Sequence, residues 1–120
     1  MSYADDILAV NDLPSETVEV PEWNGMRVVV RGLDGEQASK YQGEVVQWDE
    51  KGKPLPPDMT NFMPKLLVKA LYAEDGTRIF RDDQVGALAK KSGAVLTRLG
   101  KIAMRLSGMD DESADKTLKN

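Results

Sequence analysis

The stretch VEVPEWNGMRVVVRGLDGEQ, residues 18–37, decides the fold class. Asn24-Gly25 tolerates the positive φ angles of a type I′ turn and is the strongest short hairpin signal a sequence offers. A two-residue loop there would pair Trp23 with Met26, Glu22 with Arg27 and Val20 with Val29. That register puts Trp23, Met26, Val28 and Val30 on one face, and Val18, Val20, Val29, Glu22, Arg27 and Arg31 on the other. Pro21 has no N–H, so its strand belongs at a sheet edge or carries a bulge. A lone hairpin is marginal in water and must pack against other elements.

Those elements follow downstream. Asp34, with Gln37 three residues on, is a capping-box pattern. Ala38, Tyr41, Val45 and Trp48 then fall on one helical face. Residues 49–59 hold three prolines and a glycine and read as an exposed loop. In TNFMPKLLVKALYAEDG, residues 60–76, Thr60 or Asn61 can cap a helix and Pro64 is tolerated only in its first turn. The stripe Phe62, Leu66, Leu67, Ala70 and Leu71 marks it as the central core helix. Glu74-Asp75-Gly76 is a turn into a short extended segment, residues 77–80, after which Asp82 or Asp83 caps further helix. Upstream, Ile7, Leu8 and Val10 are too few for a stable helix. Pro14 ends whatever forms there, which predicts a flexible arm or one docked turn.

The last segment, residues 84–109, contains no acid, whereas Lys90, Lys91, Arg98, Lys101 and Arg105 are basic. Leu96, Leu99, Ile102, Ala103 and Leu106 occupy one side. Gly86, Gly93, Gly100 and Ser107 recur every seven residues. A mid-helix glycine costs about 1 kcal/mol against alanine, so such a series suits close backbone approach. A break near Ser92 would instead leave Gly86 and Gly93 outside a single helix, and the pattern fits both. Ser107-Gly108 supplies the stop.

These elements give an α+β fold: an N-terminal β-hairpin packed on a small bundle of about three to four helices. The 120 residues suffice for one domain. It is expected at 16–108, between a flexible acidic arm at 1–15 and a charged, frayed tail at 109–120. Residues 1–26 hold six acids and no Lys or Arg, while 27–109 hold fourteen basic and ten acidic residues. Two solvated ends around a core explain this. A sharper reading has the arm folding back on basic surface until a partner arrives.

Composition removes most chemistry. There is no His and no Cys, hence no disulfide, no thiolate zinc site and neither of the commonest catalytic side chains. The pairs Asp5-Asp6, Asp82-Asp83 and Asp110-Asp111 sit at helix starts or in end segments, where acids meet the helix dipole. No phosphate loop or calcium-loop spacing occurs. Catalytic, metal and cofactor sites are all expected to be absent. No apolar run approaches a membrane span, and MSYADDILAV carries acids where a secretory signal carries positive charge. A pI near 4.8 and the lack of aromatics among the basic positions speak against nucleic acid. What remains is protein–protein contact, through an edge strand and methionine-bearing helices.

ADDILAVNDLPSETVEVPEWNGMRVVVRGLDGEQ (4–37) and YAEDGTRIFRDDQVGALAKKSGAVLTRLGKIAMRLSGM (72–109) resemble tail assembly chaperones of long-tailed, siphovirus-type bacteriophages and prophages. The likeness rests on an ADDIL…DLP arm at 4–14, VEVPEW at 18–23 and V-x-V-R-G-L at 28–33. It continues in EDG-x-R-x-F at 74–80 and A-x-R-L-S-G at 103–108. It implies a non-enzymatic protein of the host cytoplasm that binds the long, helix-rich tape measure protein and keeps it soluble. Such a protein promotes tail tube assembly around its client, with the major tail tube protein as a second partner, and is absent from the mature virion. The family commonly makes a longer frameshifted product, and the terminal KTLKN would suit the short one. A minor tail or connector protein retained in the virion is the alternative. A small transcriptional regulator is a third reading, disfavoured by the acidic arm.

The basic segment supplies the candidate contact residues. Leu99, Ile102 and Leu106 would anchor tape-measure helices in a shallow groove, with Arg98, Lys101 and Arg105 steering acidic stretches. The same three apolar residues also suit ordinary core. The hairpin edge at 18–22 offers a second surface, for self-association.

Overall fold

The computed structural model describes residues 2–109; the sequence-predicted tail lies outside them from residue 110. The first element is the helix α1 (Tyr3–Ala9), capped by Ser2, whose hydroxyl accepts from Asp5 N at 3.2 Å. The sequence reading predicts a flexible arm or one docked turn here. α1 is a helix of two turns with no buried residue. The chain then enters the hairpin β1 (Ser15–Val20) and β2 (Met26–Arg31).

The register differs from the sequence expectation by three residues: Val20 faces Met26, Glu19 faces Arg27 and Val18 faces Val28. Pro21 is the cause. It cannot donate to the ladder, and it opens a 3-10 turn, Pro21–Trp23, that removes three residues from the strand. Asn24 (φ 57) and Gly25 (φ 71) are left-handed as expected, but they close a five-residue loop. An odd shift exchanges faces. Val20, Val28 and Val30 therefore share one buried face, with Val18 half-buried beside them.

Asp34 caps α2 (Gly35–Val45) with the full capping box. The helix stops three residues before Trp48. Asp49 turns the chain by accepting from Lys51 N and Lys53 N, so that β3 (Gln47–Trp48) pairs with β4 (Pro54–Leu55). Trp48 is thus an exposed strand residue, and part of the expected proline loop is a small hairpin.

α3 (Phe62–Ala70) is the central helix, and none of its residues is exposed. Asn61 holds the cap position without a side-chain bond, and the Asp58 carboxylate receives Thr60 N instead. Lys69 is buried and satisfied by Glu44 and by Lys65 O. α3 runs directly into β5 (Leu71–Tyr72), which the stripe pattern had read as more helix. β5 adds a third strand in the order β1-β2-β5 and leaves β1 at an edge. Arg31 stacks on Tyr72, 3.8 Å from the ring centroid.

After a bridge at Arg78 come α4 (Val85–Leu88) and α5 (Gly93–Leu106), capped by Ser92. The break near Ser92 is real, and the heptad of small residues divides into two pairs. Gly86 and Gly93 face open space. Gly100 and Ser107 make close contacts. A Cβ on Gly100 would overlap Met63 Sδ, and Ser107 Oγ accepts from Leu33 N at 2.9 Å. α5, α3 and the buried sheet face enclose one core, including Leu66, Leu67, Leu71, Leu88, Leu99 and Ala103. Each such leucine contributes roughly 1.5–3 kcal/mol of burial. Met109, expected in the tail, packs against this core.

Gly32 should be the least replaceable glycine. A Cβ there meets Leu106 O at 2.5 Å, and backbone cannot yield as Met63 can. Gly32→Ala is expected to lower the urea unfolding free energy by on the order of 1–3 kcal/mol. Gly100→Ala should lie near neutral, because a gain of about 1 kcal/mol in helix propensity offsets the displaced Met63. Equal midpoint shifts would contradict this.

Candidate functional site

The six residues named from the sequence lie on α5, but in three different environments. Leu99 is wholly buried, and Ile102 and Leu106 are half-buried against the core. Arg98, Lys101 and Arg105 are exposed. With spacings of three and four they form one stripe along the helix, bordered by Ile102 and Leu106.

Two of these cations are held by the acidic N-terminal region. Arg98 makes a bidentate pair with Glu22 at 2.9 and 3.0 Å, and Arg105 Nη2 meets Glu16 at 2.9 Å. Both acids belong to the acid-only stretch 1–26, Glu16 on β1 and Glu22 in the turn after it. The fork geometry holds Glu22 at a pKa of about 2, with the Arg98 hydrogen bonds as the largest cause. Glu22 belonged to the hairpin edge named for self-association; that part of the edge is engaged, whereas Val18 and Val20 stay on the edge strand.

A second feature was not read from the sequence. At the tip of the hairpin an apolar cavity of about 360 Å³ opens among Trp23, Met26, Val28, Ile79, Phe80 and Leu88, with Lys91 and Glu22 also lining it. Val28 and Leu88 are buried, while Met26 and Ile79 are exposed. Three segments distant in sequence meet here. The only local signal was large apolar residues, Trp23 and Met26, flanking the turn.

Elsewhere the polar groups serve the fold. Asp82 is held at a pKa of about 2, first by Lys40 and then by Arg78. Arg78 also donates to Val68 O at 2.7 Å. Burial pushes the Tyr41 hydroxyl up. Among the described residues no three acidic side chains converge as a metal cage would require, and no helix is long and apolar enough to cross a membrane.

A family model described as phage tail assembly chaperone matches residues 9–117. The chain belongs to that family. Its fold is also that of the solved bacteriophage HK97 tail assembly chaperone, with a TM-score of 0.62 and 26% identity over 88% of this chain and 98% of that one. No curated protein matches the sequence. In this chaperone two of the stretches that carry the resemblance prove to be a single contact. Gly32 and Leu33 of V-x-V-R-G-L abut Leu106 and Ser107 of A-x-R-L-S-G. Arg78 of EDG-x-R-x-F satisfies the end of α3.

The Glu22–Arg98 pair gives a signed pH dependence. The folded pKa lies below the unfolded value of 4.5, so the pair's stabilisation is present above pH 4.5. It is lost as pH falls from there toward about 2. Glu22→Gln should make the acid limb of stability against pH slightly shallower in that window and lower the plateau above it by the same small amount, because the pair is exposed. An unchanged acid limb would assign the loss to other carboxylates.

Proposed function

We infer that this chaperone binds the tape measure protein, keeps it soluble and promotes assembly of the tail tube around it, without catalysis. The contact is made by α5. Ile102 and Leu106 offer apolar edge, Leu99 supports them from the core, and Arg98, Lys101 and Arg105 engage acidic stretches of the client. The observation that carries this reading is the exposed cation stripe, two members of which already hold carboxylates. Exposed ion pairs contribute little net stability and exchange readily. A client acid can therefore replace Glu16 or Glu22 at small cost, and the chain's own acids keep the stripe occupied until then. This keeps the sequence idea of a shielded basic surface while moving the shield to the hairpin.

Residues 16–108 form the working domain in this proposal, with 1–15 and 109–120 as flanking arm and tail. The setting is the host cytoplasm, the major tail tube protein is a further partner, and the chaperone leaves before the virion matures. Nucleic acid and membrane have no part in this reading. A minor tail or connector protein would remain in purified particles, which separates the two readings.

Co-expression with the tape measure protein of the same genome tests it. The client's soluble fraction should rise and the two should co-purify. Arg98→Glu with Arg105→Glu should reduce co-purification about tenfold or more, because reversed charges repel the client acids as well as Glu16 and Glu22. Undiminished co-purification by a folded double variant would remove α5 from the contact.

A further inference from the structure

The hairpin-tip cavity and the cation stripe of α5 share a wall. Glu22 lines the cavity, and the same carboxylate grips Arg98 with both oxygens. One glutamate side chain therefore separates an apolar hollow from the first cation of the stripe. The two ion pairs also set the order along the helix. Glu16 meets Arg105 and Glu22 meets Arg98, so the hairpin tip lies past Arg98, at the end away from Arg105. Arg105 stands seven residues beyond Arg98, about 10.5 Å along the axis. Hollow, Arg98 and Arg105 thus follow one another in a line.

The hollow is apolar at its floor, where Val28 and Leu88 are buried, and its mouth is lined by Met26, 57% exposed, and Ile79, 37% exposed. A volume of about 360 Å³ is near the small end of the range for ligand clefts. It suits one or two large side chains better than a length of backbone. Beyond it α5 presents only side chains, because its N–H and C=O groups are bonded within the helix. A segment lying along this line finds no backbone partner and must bring its own backbone satisfied, as a helix does.

Charge narrows the occupant further. Lys91 lines the hollow, and among the described residues it is in no ion pair. An incoming acid that takes Arg98 therefore leaves Glu22 in a lining that still holds a cation. The segment 84–109 contains no acid that would repel it. The line asks for a large apolar side chain at one end and carboxylates along the rest.

We propose that the tip cavity is the anchor site for an amphipathic helix of the client, which seats a large apolar side chain against Trp23 and Phe80 and lays acids on Arg98 and Arg105. The chaperone's own spacing sets the client's. The two acids stand seven residues apart, and the anchor lies about one turn from the nearer acid, the span that the Glu22 side chain bridges. This docking mode rests on the α5 reading of client binding and adds selectivity to it. Any acidic stretch can engage the cations, whereas only a helix with the anchor displaces water from the hollow.

Co-purification of the full chain with the tape measure protein of the same genome reads it out. Met26→Gln with Ile79→Gln makes the mouth polar at two exposed positions and changes no charge. Trp48→Gln with Leu55→Gln does the same on the β3–β4 hairpin, where both residues are also exposed. The mouth variant should retain about tenfold less client than wild type, and the β3–β4 variant should retain as much. Urea midpoints of both should stay close to the wild type's; if the mouth pair lowers its midpoint, Met26→Gln alone carries the comparison. Full retention by the mouth variant overturns the proposal, and the α5 reading survives it if Arg98→Glu with Arg105→Glu still releases the client. Equal loss in the two glutamine pairs also overturns it, since general apolar adhesion would then account for the binding. If wild type retains no client, the α5 reading and the anchor site fall together.

Discussion

The fold depends on burying α3 on every side. No residue of Phe62–Ala70 is exposed, yet the helix carries two lysines and ends among apolar neighbours. A buried ammonium must find oxygens or it forces the helix outward. Lys69 takes Glu44 and Lys65 O, and Lys65 reaches Asp58 at 3.9 Å. The carbonyls of the last turn need donors too, and Gln37 serves Lys69 O while Arg78 serves Val68 O. α2, the segment after β4 and the segment after β5 are therefore tied down by the polar needs of one helix. Its apolar needs are met by α5 and the sheet.

The molecule consequently has two kinds of joint. α5 meets the end of β2 through close backbone approach at Gly32 and through Ser107, where backbone cannot yield, and it meets α3 at Gly100 through the Met63 side chain. Above that packing, α2, β1 and the turn after β1 add exposed charge pairs to their neighbours, such as Lys40–Asp82, Glu22–Arg98 and Glu16–Arg105. The shape of the surface is fixed from below, while the charges upon it remain exchangeable.

Much of the architecture was legible because local chemistry dictated it. The Asn24-Gly25 reversal, the Asp34–Gln37 box, the placement of Pro64 and the stop at Ser107-Gly108 each have one economical backbone solution. What failed was register and continuity. Pro21 was read as a property of its strand, when its missing N–H ended that strand and moved the pairing by three. Trp48 continued a helical period that Asp49 cut short. Leu71 completed an apolar stripe and, with Tyr72, became sheet, because β2 offered unpaired backbone and periodicity does not register distant partners. The candidate site divided similarly. The exposed cations Arg98, Lys101 and Arg105 were visible as a spacing, and so was the burial alternative for Leu99. The tip cavity was invisible, since it exists only where residues 22–28, 79–80 and 88–91 meet.

The bond from Leu33 N to Ser107 Oγ joins residues 74 apart in sequence. On the ribosome, at about 5–20 residues per second, the exit of β2 waits about 4–15 s for its closing partner. Through that interval Val20, Val28 and Val30 have no α5 to cover them, and the nascent chain presents an uncovered apolar strand pair. Residues 1–26, with six acids and no Lys or Arg, give neighbouring nascent chains on a polysome a common repulsive charge while their cores are still incomplete.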